Sequence, residues 1–375
     1  MFNSLSPFWE RIQGYLFSEL EDELGPLTEK QQQLIAILEV VRIEEFLPRF
    51  FSCVGRPQKD RAALARAFVT KAVFNMPTTR VLIERVESDI SLRRICGWER
   101  RNEVPDESTF SRAFSEFADS ELPSLVHNAL ISKIYKKQVV GHVSRDSTAI
   151  EGREKPLIKK KEEIKPKKRG RPKKGEERLK EPKRLDRQLK MTQEDRLADL
   201  PKACDVGAKA DSKGNRNYWV GYKCHIDTGD GDVPLSCIVT SASVHDSQVS
   251  IPLAEETAAK VTSLYDLMDA AYDCPQIEQH SRSLGHVPII DKNTRRNVKA
   301  KKELKAEAKA LRILNLTMPE KKRYNQRSSA ERVNGRLKDD FGGRMVRVRG
   351  NAKVACHLMF GILALTADAI LNLVR

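Results

Sequence analysis

The stretch YNQRSSAERVNGRLK, residues 324–338, sets one glutamate among four cations. With about 100° of turn per residue and Arg327 at zero, Glu331 falls near 40°, Lys338 near 20° and Tyr324 near 60°, provided the helix reaches back that far. Ala330, Val333, Leu337 and, just beyond, Phe341 fall between roughly 240° and 320° on the same arithmetic. One face is therefore apolar and can pack on a core. The neighbouring face presents Tyr324, Arg327, Glu331 and Lys338 together. Taken alone, this is a solvated stripe with an i,i+4 Arg–Glu pair. Whether it is more than that depends on the acidic residues elsewhere in the chain.

Upstream, VVGHVSRDSTAI (139–150), YWVGYKCHIDT (218–228), VPLSCIVTSAS (233–243), SLYDLMDA (263–270) and HVPIID (286–291) read as short strands, rich in β-branched and aromatic residues. Gly-Asp-Gly-Asp at 229–232 is a hairpin turn between the second and third. Helical spacing follows at 249–262, 275–284, 299–313, 325–340 and 352–374. Strands joined by hairpins and then alternating with helices predict an α/β fold, a mixed sheet with helices on its faces. The apolar run at 354–374 is long enough to raise a membrane span, but His357, Asp368 and Asn372 within it favour a buried core helix. No membrane partner is expected.

Residues 1–130 read as an all-α domain. RAALARAFVTKAVF and TRVLIERVESDISLRRI space their apolar residues at three and four, and Pro26 sits where a helix can start. Asp106, in VPDESTFSRAFSEF, offers a helix start ahead of an aromatic face of Phe110, Phe114 and Phe117. Short helices joined by tight turns suit a helix-turn-helix DNA reader, or equally a helical packing domain. A catalytic domain is expected over 138–375, interrupted by a basic insertion at about 151–203. Residues 151–200 hold 19 Lys or Arg against 11 Asp or Glu with few large apolar residues, which predicts an extended or partly helical segment outside the core. Within it, KKRGRPKKG (167–175) could place Arg169 and Arg171 in a narrow A·T-rich minor groove, or could be a basic linker.

The whole chain carries 67 Lys or Arg against 52 acids, a formal charge of +15, which favours a polyanionic partner such as nucleic acid. Seven cysteines without a C-x-x-C argue against a disulfide framework or a zinc ribbon and suit a reducing cytoplasm. No H-x-x-x-H pair supports a histidine metal site. The N-terminus has no basic start leading into an apolar run, so no signal peptide is expected.

Two further carboxylates stand at strand ends, Asp146 in Arg-Asp-Ser-Thr and Asp269 in Leu-Met-Asp-Ala-Ala-Tyr. A buried-facing carboxylate is costly unless paired, hydrogen-bonded or bound to metal. Three of them converging from two strands and a helix would hold a pair of Mg²⁺ ions, which prefer hard oxygen ligands. Two such ions can activate an attacking oxygen and stabilise a leaving one at phosphorus. Cations around Glu331 would then bind DNA phosphates beside them. Among the other polar residues, His245 and Asp246 read as capping a helix, and Asp273 as a helix N-cap. Lys223 and His225 share a strand face where they could support Asp146. Trp219 reads as core.

The chain resembles bacterial insertion-sequence transposases of the DDE superfamily, in the branch with the signature Y-x2-R-x3-E-x6-K. Tyr324, Arg327, Glu331 and Lys338 match every spacing. Asp-Ala-Ala-Tyr-Asp at 269–273 and Arg-Asp-Ser-Thr at 145–148 resemble the family's other two acidic motifs. Gly-Tyr-Lys-Cys-His (221–225), Val-His-Asp-Ser (244–247) and Pro-Asp-Glu-Ser-Thr-Phe-Ser-Arg (105–112) are also similar to family features. The resemblance implies an RNase H-like fold carrying a metal-dependent DNA transferase. Asp146, Asp269 and Glu331 would be the catalytic residues and the ligands of two Mg²⁺ ions, for which Mn²⁺ can substitute. Tyr324, Arg327 and Lys338 would grip transposon-end DNA, and pairing two ends for attack on target DNA needs at least two protomers, so a homodimer on DNA is expected. The basic insertion is a departure from shorter members. The rival classes are a non-catalytic DNA-binding regulator derived from a transposase and a structure-selective nuclease of the same fold.

Overall fold

The computed structural model describes residues 26–48, 59–158, 182–210, 215–294, 297–313 and 318–374 of the 375. Arg169 and Arg171 lie outside the described residues.

Short polar side chains set the starts of the N-terminal helices, which are α1 (Glu29–Val41), α2 (Arg61–Val73), α3 (Thr79–Ser88), α4 (Ile90–Cys96), α5 (Glu107–Asp119) and α6 (Leu122–Tyr135). Thr28 and Gln31 form a reciprocal capping box on α1, and Asp106 accepts from the Thr109 amide at 2.8 Å to open α5. The aromatic face of α5 is buried, as its spacing predicts. Phe110, Phe114 and Phe117 surround Phe68 of α2 with ring centroids 5.0 to 6.2 Å away.

The sheet contains β1 (Val139–Glu151), β2 (Asp205–Ala210), β3 (Arg216–Gly229), β4 (Val233–Ser241), β5 (Thr262–Met268) and β6 (Val287–Ile290). Its order is β2-β3-β1-β5-β6, with β4 also paired to β3. The long β3 takes β2 along its first half and β4 along its second. β1 runs antiparallel to β3 and parallel to β5, so the sheet is mixed, as expected. The hairpin turn between β3 and β4 uses positive φ at Gly231 and Asp232, 75° and 61°, which glycine and aspartate tolerate. The same turn tethers two other elements. Asp230 accepts from the Gly141 amide of β1 at 2.6 Å, and Asp232 takes two bonds from Arg332 at 2.6 and 2.7 Å.

Helices α7 (Arg184–Gln188) and α8 (Gln193–Ala198) precede β2, and α9 (Ser247–Ala258) and α10 (Pro275–Ser283) lie later in the chain. The C-terminal end of the basic insertion is not outside the core, contrary to expectation. Its sparse apolar residues are spaced to cover α9: Leu185 packs with Ile251 and Tyr272, and Leu200 with Val249 and Leu253. β2 was hidden in the sequence because DVGAKA is poor in strand formers. Its Gly207 is needed bare, since a Cβ there would lie 2.4 Å from the Trp219 ring. Trp219, expected in the core, is therefore half-buried on β3, laid over that glycine.

Helices α11 (Val298–Ile313), α12 (Pro319–Tyr324), α13 (Ser328–Asp339) and α14 (Asn351–Val374) complete the described chain. By length and composition α14 could cross a membrane, but 89% of its most apolar window is buried inside the protein. It packs on α1, α2, α5, α6 and β4, and Phe360 reaches to 5.6 Å from Phe68. Its Asp368, 6% exposed, is neutralised by Arg336 of α13 at 2.6 Å and bonded by Gln33 of α1 at 2.6 Å.

Candidate active site

The parallel register pairs Arg145 of β1 with Met268 of β5. The next residues, Asp146 and Asp269, therefore come level on neighbouring chains about 4.8 Å apart, and on the same face of the sheet. Asp269 continues the extended direction of β5, with φ −79° and ψ 177°, and accepts from the Ala271 amide at 2.8 Å to start a tight turn over Ala270–Tyr272. Asp146 is not at a strand end as expected. β1 runs on to Glu151 against β3 after β5 has ended, so Asp146 stands mid-strand. Burial pushes the Asp146 carboxyl above the ordinary carboxylate range and the Asp269 charge adds to that, while the Ser147 amide, Lys209 and Arg327 oppose it.

Helix α13 lies across β1 and β3. Ser144 Oγ donates to the Gln326 carbonyl at 3.3 Å, and Asn334 Nδ2 donates to Asp146 Oδ2 at 3.2 Å. The single helix expected over 325–340 is broken by a 3₁₀ turn at Asn325–Arg327, where Ser328 Oγ bonds back to the Asn325 carbonyl at 3.0 Å. Tyr324 thus ends α12 and Arg327 precedes α13. The two still meet, with the guanidinium 5.8 Å from the ring centroid. Burial raises the Tyr324 phenol, Arg327 opposes that, and the charges of Asp291 and Asp269 raise it further. On the same face, four residues before each aspartate, His142 stacks on Tyr265 at 5.5 Å and Arg323 lies 4.5 Å over Tyr265.

In the described arrangement the third carboxylate is engaged away from the other two. Glu331 is bound by Arg327 at 2.6 Å, with side-chain exposures of 58% and 20%. Among the described residues, no group of three acidic, histidine or cysteine side chains is placed to hold a metal ion. Like-charge repulsion from the aspartate pair disfavours a third anion there, whereas the i,i+4 position offers a cation. Lys338 is half-buried two turns on, its ammonium pulled down by burial and then by Arg344 and Lys209.

Asp246 takes the N-cap position of α9, but its side chain does not cap the helix. It accepts from Lys223 Nζ at 2.9 Å and lies 3.9 Å from the fully buried His225. Burial pushes His225 down to about 4, so it stays neutral and bonds Thr240 at 2.9 Å. His245 faces Ser247 at 2.8 Å at the helix start. Asp273 accepts from the Asn293 amide at 2.9 Å, and Cys274 takes the cap position ahead of Pro275.

Two side chains near the pair went unnoticed in the sequence. Asn334 would fall near 340° on the helical arithmetic, between the apolar and charged faces. Lys209 belongs to the strand that composition concealed. Tyr272, the aromatic of the Asp-Ala-Ala-Tyr-Asp motif, is buried against Met268 and Ile251, and its phenol is driven well up by burial and by the charges of Asp246, Asp146 and Asp269. Two level carboxylates, one reluctant to ionise, with the Asn334 amide beside Asp146, form a donor set suited to a small divalent cation.

The strand order, with the aspartates on two central neighbours and α13 laid over them, defines the RNase H-like class. The family described as "Transposase DDE domain" matches residues 146–367, more than half of the chain, and "Transposase domain (DUF772)" matches residues 19–116. The chain belongs to the DDE transposase domain family. It is similar to the probable transposase for insertion sequence element ISH11 from two strains of Halobacterium salinarum, each 22% identical over 165 residues, 42% of this chain and 49% of the relative. The chain thus spans about half the length of the curated relatives it matches. No solved structure matches it.

Proposed function

We propose that this chain is an insertion-sequence transposase of the Tyr-Arg-Glu-Lys branch. It binds the terminal inverted repeats of its element and catalyses metal-dependent DNA cleavage and strand transfer. The observation that carries this is the level pair Asp146 and Asp269, with the raised Asp146 carboxyl, beneath a helix that delivers Arg327, Glu331 and Lys338. Asp146, Asp269 and Glu331 would hold Mg²⁺ or Mn²⁺, and two such ions supply activation of the attacking oxygen and neutralisation of the leaving one. Arg327, Tyr324 and Lys338 bind end-DNA phosphates and orient the scissile bond. Arg327 cannot serve a phosphate and Glu331 equally well, so its engagement by DNA frees Glu331 to turn toward the aspartates. Cleavage by water and attack of the freed 3′-hydroxyl on target DNA are both displacements at phosphorus, so one site serves both. Joining two ends calls for a homodimer on DNA. We assign DNA binding also to the 1–130 helical domain, and catalysis to 138–375 with its insertion at about 151–203.

The test uses a duplex carrying the element's terminal repeat. Glu331→Ala should abolish Mg²⁺- or Mn²⁺-dependent cleavage by at least about 100-fold and leave end binding largely intact. Arg327→Ala and Lys338→Ala should each weaken binding and lower its salt slope by about one unit. Equal cleavage by wild type and the Glu331 variant would sink the mechanism. Sequence-specific binding with no cleavage under any divalent ion would instead favour a regulator derived from such an enzyme.

A further inference from the structure

We propose that Asn334 supplies a fourth, neutral oxygen to the cation held by Asp146 and Asp269, an inference that rests on the metal-site reading above. Asn334 is 7% exposed and spends its amide nitrogen on Asp146 Oδ2, at 3.2 Å. An ionised carboxylate only accepts, so the nitrogen end of the amide faces Asp146 and the oxygen end is left over. That Oδ1 is buried and has no hydrogen-bond partner. Buried amide oxygens are nearly always satisfied, and an exception points to an unseen water or ion.

An amide oxygen is a hard ligand of the kind small divalent cations take beside carboxylates. It adds no negative charge to a pair whose carboxylates already repel. Glu331 is engaged by Arg327, while Asn334 is the polar side chain of α13 already in contact with Asp146 and has its amide oxygen free. The cation can therefore load on Asp146, Asp269 and Asn334 before Glu331 arrives, while the amide nitrogen holds Asp146 in orientation.

The experiment is Mn²⁺ calorimetry on the full-length chain without DNA, paired with thermal unfolding in chelator and in Mn²⁺. Asn334→Ala should weaken Mn²⁺ binding about 10- to 100-fold, the usual cost of losing such a partner, and should shrink the Mn²⁺-induced rise in Tm. Asn334→Asp, nearly the same size, restores an oxygen. It should melt lower than wild type in chelator and show a larger Mn²⁺-induced rise. Should Asn334→Ala fail to fold, Asn334→Ser takes its place with the same expectation. Wild-type Mn²⁺ affinity in the Ala or Ser variant, while Asp146→Asn abolishes binding, would overturn the role of Asn334 alone. Unchanged Mn²⁺ binding in Asp146→Asn would overturn the metal-site reading itself.

Discussion

Asp146 is held where its own charge is disfavoured, by burial first and by Asp269 second. A carboxyl raised above its unfolded value subtracts stability wherever it is ionised. The penalty is fully present above the folded pKa and vanishes below the ordinary carboxylate value. Asp146→Asn keeps the shape and an acceptor for Asn334 but cannot ionise. It should therefore stabilise the metal-free protein at neutral pH, by an amount on the order of 1 kcal/mol. The gain should shrink toward nothing as the pH falls through the carboxylate range. Melting curves of both proteins in chelator across that range are the check, and a variant less stable at every pH would contradict it. The aspartates and the signature residues were legible because residue type and spacing carry them. The partner chosen by Glu331 was not, since one helix offers its side chain both Arg327 and the sheet.

At the scale of elements, alternation along β1 separates the functional face from a structural one. Arg145 points opposite to Asp146 and forms a buried two-bond pair with Asp227 of β3, at 2.8 and 2.7 Å, with exposures of 2% and 0%. Thr257 and Ser250 of α9 complete the network, bonding Asp227 at 2.7 Å and Arg145 at 3.2 Å. Removing one partner strands a buried charge. Asp227→Ala should cost about 3–5 kcal/mol, and the double change Arg145→Met with Asp227→Leu should regain most of it. Urea unfolding of the three proteins measures this, and equal losses in the single and double variants would refute it. Strands β1, β3, β4, β5 and β6 and the Gly-Asp-Gly-Asp turn followed from periodicity and turn chemistry. β2 did not, because its residues carry weak strand preference and it depends on Trp219 and the first half of β3. The break at Asn325–Arg327 was equally hidden, as it lies inside a continuous helical pattern.

Over the whole molecule, the N-terminal helices and the sheet share one hydrophobic core through α14. Phe360, 2% exposed, meets Phe68, Phe114 and Phe117 at 5.6 to 6.4 Å. Phe360→Ala should cost about 3–5 kcal/mol. It should lower the unfolding of the helical region and of the sheet together, as one transition seen alike by a probe in each. Separate transitions would mean that the two regions stand independently. Sequence periodicity marked α14 as a core helix, but not which elements it would join, because an all-round apolar helix carries no directional information.

The same helix sets a timetable for the nascent chain. Phe68 emerges from the ribosome 292 residues ahead of Phe360, so at ordinary synthesis rates the N-terminal helices wait roughly 15–60 s for the partner that closes their core. Their apolar faces remain open to chaperones, or to neighbouring chains, throughout that interval. A message cut short between codons 332 and 350 yields a chain that carries all the acidic residues of the site yet lacks the helix that holds its scaffold together.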